Sequence, residues 1–252
     1  MNEFIEKIKK ESEYKKIISE EAINKLINIY SYNIKKEKYK KTIENPLKFV
    51  ENFYKNYKKE YYNIIQKGIK DKEIILNSDN TKTDVKKDIC YIKLKNDDSD
   101  LYKLVHEFAH FIDRKSNPHI ILDNHNFLCE VFSFYMEKEL EKYLKGTYNK
   151  ITEARAQNRK YNLNKFSKII DYEKELENLY KINKLATNNV DNNKIDTLKQ
   201  IKNENIINYY LRYLLGDLLS DYIIKENIIP KKGLSKILLE KDLMEIINNK
   251  LN

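Results

Sequence analysis

Glycine and proline are scarce in this chain, at 4 and 3 of 252 residues. Tight turns depend on both, so a many-stranded β architecture is disfavoured and long helices are favoured. Cysteine occurs only at Cys90 and Cys129, too few for a disulfide framework. No uncharged apolar run approaches the ~18 residues that a membrane span needs. The N-terminal stretch MNEFIEKIKKESEYKK lacks the apolar core of a secretory signal, so the expected compartment is cytoplasmic. Export without a cleavable signal stays open.

Arginine is also rare. Only Arg114, Arg155, Arg159 and Arg212 stand among 48 basic residues, although the formal net charge is +9. Arginine supplies the bidentate contacts to phosphate and guanine, so its scarcity argues against a nucleic-acid partner. Charge signs are interspersed, as in the run from Glu137 to Lys142, which reads as a solvated surface. Apolar residues make up 41% of the chain, with 34 Ile and 20 Tyr, enough for a sizeable core.

The periodicity predicts helix over 3–43, where Ile5, Ile8, Ile17, Ile18, Ile23, Leu26, Ile27 and Tyr30 recur at three- and four-residue spacing. Asn45-Pro46 marks a new helix start, and one apolar face continues from Leu47 to Ile65. The period then changes. Ile74–Leu76 and 89–94 read as strands, separated by a polar stretch over 77–88. The loop Asn96 to Asp100 offers several helix caps, and a helix is expected from Ser99 or Asp100 to Arg114. Ser116-Asn117-Pro118 ends it. Further helices are expected from about 126 to 144, closed by Gly146, and over 150–229 with a polar interruption at 188–193. A last short helix follows Pro230 to Gly233. No repeat or linker is evident, so 1–252 reads as one mainly α domain with a small β element. Its parts are a helical segment 1–70, a strand pair 71–95 and a helical segment 99–252.

His106-Glu107-Phe108-Ala109-His110 is an HExxH sequence. With 4 His and 24 Glu in the chain, about 0.006 chance occurrences are expected. On a helix, residues four apart share a face, so both imidazoles can bind one metal ion. Glu107 can then act as general base on a water. The flanking Leu104, Val105, Phe108, Phe111 and Ile112 predict a buried helix, in which these polar groups need a reason such as a metal. A catalytic zinc needs a third protein ligand. The metzincin pattern asks for Gly at 113 and His at 116, and Asp113 and Ser116 exclude it. The gluzincin pattern takes a Glu from a later helix. Glu130, a lone acid in an apolar stretch 20 residues beyond His110, fits that pattern; the alternative is a partly buried Glu paired with a lysine.

Glu130, Ser133 and Glu137 form Glu-x-x-Ser-x-x-x-Glu. With the upstream HExxH, this resembles the thimet oligopeptidase and oligoendopeptidase F family of zinc peptidases. The resemblance implies a zincin-like catalytic domain built around the HExxH helix and a following Glu-bearing helix. It implies Zn2+ held by His106, His110 and Glu130, with Glu137 accepting a hydrogen bond from a ligand histidine. The segment Tyr209 to Gly216 is similar to one in which tyrosines face the zinc, so Tyr213 or Tyr209 is implied as oxyanion donor. The strand at 89–94 falls where the family has a β edge lining the substrate cleft. This chain departs from the family in several places. Ala109 replaces a usual Gly. Asp113 stands where a His is common, as a carboxylate behind a ligand or a surface acid. The family His upstream of the tyrosines is missing, and His119 and His125 lie in the loop between the ligands, facing the cleft or solvent. Only 105 residues precede the motif, which implies a shortened lid.

The expected function is zinc-dependent hydrolysis of oligopeptides or flexible protein segments, with Glu107 as general base. Two rivals remain: a non-catalytic peptide-binding module on the same scaffold, and a basic nucleic-acid-associated protein with an incidental HExxH.

Overall fold

A computed structural model of the chain describes residues 20–84, 88–117, 129–186 and 206–228. Among them are seven helices: α1 Glu20–Ile29, α2 Pro46–Tyr57, α3 Lys59–Lys70, α4 Ser99–Ser116, α5 Cys129–Leu144, α6 Asn149–Ala186 and α7 Ile206–Lys225. Three short strands, β1 Ile74–Leu76, β2 Lys82–Asp84 and β3 Ile89–Ile92, form one sheet. The mainly α class with a small β element thus holds. No helix among the described residues is long and apolar enough to cross a membrane.

Several boundaries differ from the periodicity reading. Residues 31–43 are not helical. Their backbone is instead claimed by side chains from elsewhere. Asn164 Oδ1 accepts from Tyr32 N, Gln157 Nε2 donates to the Lys35 carbonyl, and Asn158 binds both N–H and C=O of Glu37. Asp98 does the same for Thr42 N and Ile43 N, so it braces this segment instead of capping α4. The apolar face over 47–65 is split, because Lys58 adopts an extended conformation between α2 and α3. The split lets Val50, Phe53 and Tyr54 and then Tyr61, Ile65 and Gly68 each reach the core.

The strand pair is a triplet. The stretch read as polar contains β2, paired antiparallel to β3, while β1 pairs parallel to β3. β3 is therefore the central strand and not the edge that the resemblance implies for 89–94. Central placement follows from its burial, with Cys90 and Ile92 fully enclosed. Asn45 caps α2 by accepting from Lys48 N at 3.0 Å, and Gly146 turns the chain after α5 with φ of +93°. The polar interruption at 188–193 and the helix after Pro230 lie outside the described residues, as do 1–19.

α5 is the hub. It packs against α4 on one side and α7 on another, and α7 packs on α6. Val131, Phe132, Met136, Leu140 and Leu144 are buried there. The close approach of α7 depends on Gly216, where an added Cβ would lie 2.7 Å from Glu130 Cβ and 3.0 Å from the Phe134 ring. Helix propensity alone predicts that Gly216→Ala gains ~0.5–1 kcal/mol. Overpacking costs about 1–3 kcal/mol and should win, because the nearest atom is anchored to backbone. Gly216→Ala is thus expected to melt several degrees below the parent protein; an unchanged or higher Tm would show that the helices can separate freely.

Candidate metal centre

α4 and α5 bring the chemistry together. His106 and His110, one turn apart on α4, point the same way, with Nε2 atoms 3.1 Å apart. Glu130, in the first turn of α5, places Oε2 3.2 Å from His106 Nε2 and 3.5 Å from His110 Nε2. Three donors ~2.0–2.1 Å from one tetrahedral ion lie about 3.3–3.4 Å from each other. The observed triangle matches that spacing. Glu130 is 3% exposed, yet its Oε2 makes no hydrogen bond. A buried carboxylate oxygen without a hydrogen bond, facing two imidazole nitrogens, is a donor suited to a cation, so this group could hold a metal ion.

The surroundings orient each donor. Glu137 Oε1 receives His106 Nδ1 at 2.8 Å, which leaves Nε2 turned toward Glu130. Ser133 Oγ donates to the His106 carbonyl at 3.1 Å, and Tyr54 Oη donates to the Val105 carbonyl at 2.9 Å. The face of α5 that carries residues 130, 133 and 137 is thus stitched to α4 along its length. Asp113, also buried, accepts from Asn117 Nδ2 at 2.9 Å at the end of α4.

Arg155 is the member that sequence reasoning missed. It comes from α6 and donates through Nε to Glu137 Oε2 at 2.9 Å, with a second contact through Nη2. Burial pushes the Glu137 carboxyl up, but the Arg155 charge and the His106 contact pull it down to about 2. A signal was present: Glu137 and Glu141 are four apart on α5, as Arg155 and Arg159 are on α6. Arg159 Nη1 does meet Glu141 Oε1 at 2.7 Å.

Arg212, one of the four arginines, faces the cradle itself. Its Nε lies 3.4 Å from Glu130 Oε1, and its guanidinium sits 4.2 Å over the Tyr209 ring and 5.0 Å over the Tyr213 ring. Arg212 Nη2 donates to Tyr213 Oη at 3.1 Å. Burial and the Glu130 charge raise the Tyr213 phenol, so it keeps its proton at neutral pH. Tyr213 lines the cleft beside the cradle, while Tyr209 is 44% exposed and accepts from the Tyr213 hydroxyl at 3.4 Å. His119 and His125 lie outside the described residues.

The cleft has a volume of about 780 Å³ and reaches His106 and Glu107. Glu107, the neighbour of His106, is half-buried and lines it. Comparison with protein-family models, with curated proteins and with solved structures returns no match to this chain.

Two carboxylates facing one imidazole call for a positive charge between them. Burial pushes the His106 imidazole down, but Glu130 and Glu137 outweigh it and hold the pKa up at about 10 in the metal-free protein. A metal ion must displace that proton. The sign follows: apparent metal affinity should rise as pH rises toward about 10, with proton release on binding. Calorimetry in buffers of different ionisation enthalpy reads both quantities. Glu130→Ala should abolish stable binding, while Glu137→Gln should weaken it about 10- to 100-fold. Full metal occupancy in Glu130→Ala would remove that residue from the ligand set.

Proposed function

We propose that this protein is a zinc-dependent peptidase acting on oligopeptides or flexible protein segments. The observation that carries the reading is the convergence of His106, His110 and Glu130 on one point beside a cleft lined by Glu107. Two imidazoles and one carboxylate form a donor set that suits catalytic zinc. The resemblance to the thimet oligopeptidase and oligoendopeptidase F family supports the same assignment.

A zinc ion bound there supplies a Lewis acid for a peptide carbonyl and lowers the pKa of a water toward ~7. Glu107 accepts the proton of the attacking water and delivers it to the leaving amine. Its carboxylate suits that exchange because it is adjacent to the ligands and open to the cleft. Tyr213, protonated and held by Arg212, donates to the carbonyl oxygen as that oxygen gains negative charge. Arg212 links this donor to the ligand Glu130, so the two are positioned by one guanidinium. Glu137, braced by Arg155, keeps the His106 ring from turning.

The rival reading, a peptide-binding module without turnover, draws on the absence of any His after residue 125. Glu107→Gln separates the two. It keeps shape and metal but removes the proton acceptor, so turnover of a quenched fluorescent peptide should fall about 10²- to 10⁴-fold at full zinc content. Undiminished turnover in Glu107→Gln would sink the mechanism, and equal inertness of both proteins toward a broad peptide library favours the binding module.

Tyr213→Phe removes only a hydroxyl. An oxyanion donor should then lose about 10²- to 10³-fold in kcat with KM nearly unchanged, because the bond forms mainly in the transition state. Tyr209→Phe, at the exposed rim, should lose no more than a few-fold. The reverse order would exchange their roles.

A further inference from the structure

Three separate stretches bring lysine to the lining of the cleft beside the metal centre. Lys36 and Lys38 come from the 31–43 segment, Lys95 from the loop before α4, and Lys103 from α4 itself, one turn ahead of His106. The carboxylates in the same lining are mostly engaged. Glu37 Oε1 accepts from Gln157 at 3.0 Å, Asp97 from Ser99 N at 2.8 Å, and Glu137 from His106 and Arg155. The two arginines of the lining are neutralised by Glu137 and Glu141. None of the four ammonium groups forms an ion pair with a carboxylate among the described residues, whereas Lys115 and Lys138 each hold two. Lys103 instead donates to the Lys93 carbonyl at 2.7 Å.

The placement of these charges is built. Asn158, 3% exposed, accepts from Glu37 N at 2.8 Å and donates to its carbonyl at 3.0 Å, clamping the residue between Lys36 and Lys38. Burial lowers the Lys103 ammonium and the Lys95 charge lowers it further, against the opposing pull of Asp100, Glu107 and Asp97. Most described lysines form no ion pair, and what sets these four apart is that they gather around one concave surface. The lining carries six cationic side chains against the four carboxylates Glu37, Asp97, Glu107 and Glu137, so a ligand can still bring negative charge to it.

We propose that this cleft selects peptide segments carrying carboxylate side chains close to the cleaved bond, with Lys36, Lys38, Lys95 and Lys103 as specificity-determining cations. The proposal rests on the peptidase reading. Each ammonium–carboxylate pair in an open cleft contributes about threefold, so two pairs give about tenfold. The preference is electrostatic and should shrink as salt shortens the screening length.

The test uses zinc-loaded protein and matched quenched peptides that differ only in Glu against Gln on either side of one bond. The expected result is kcat/KM about tenfold higher for the Glu peptide, with the gap narrowing at high salt. It should also collapse in the double variants Lys36→Gln/Lys38→Gln or Lys95→Gln/Lys103→Gln. Equal or faster cleavage of the Gln peptide overturns the proposal and leaves the peptidase reading standing. If no peptide is cut, binding of dye-labelled Glu and Gln peptides to Glu107→Gln, read by anisotropy, still decides. Selective binding of the Glu peptide upholds the cleft's preference while the peptidase reading fails; charge-blind binding overturns the preference. Single-stranded DNA binding in place of the acidic peptide overturns it as well.

Discussion

Buried carboxylates on one face of α5 are the constraint around which the helices assemble. Glu130 and Glu137 are 3% and 2% exposed, positions where an unpaired charge costs several kcal/mol. Each is met by cationic or proton-donating groups from other helices. Glu130 faces His106 and His110 of α4 and Arg212 of α7, and Glu137 faces His106 and Arg155 of α6. One turn later, Glu141 meets Arg159. The same pairs that satisfy α5 therefore set where α4, α6 and α7 must lie. A metal ion at the cradle would join this scheme as a further positive charge, at Glu130 Oε2, a buried oxygen without a hydrogen bond.

A second buried network on α5 repeats the arrangement with reversed sign. Lys138 is buried and reaches Asp217, Asp221 and Ser220 of α7, while Tyr30 donates to Asp217 from the end of α1. This network lies away from the cleft. It locks α7 in rotation, which in turn aims Arg212 and Tyr213 at the cradle. Rigid support of this kind is what a metal site needs, since donors displaced by an ångström lose their common centre.

All four arginines are committed to carboxylates: Arg114 to Asp88, Arg155 to Glu137, Arg159 to Glu141 and Arg212 to Glu130. A basic composition thus coexists with arginines turned inward. The positive surplus is carried by lysine, and part of it gathers at the cleft.

Local sequence determined the parts whose cause is local. The His106 and His110 pairing needs only a four-residue helical spacing, the α2 start needs only Asn45 and Pro46, and the Glu130, Ser133, Glu137 face needs only the helical repeat. Tertiary structure decided the rest. Residues 31–43 carry helix-compatible periodicity, yet Asn158, Asn164 and Asp98 take over their backbone groups from far along the chain. β2 forms in a polar stretch because β3 offers it a ladder, not because its own residues favour a strand. Arg155 and Arg212 look like ordinary helix-surface cations until the helices dock against Glu137 and Glu130. Spacing along one helix is written in the chain, but which residues of different helices share a buried charge depends on how the helices pack.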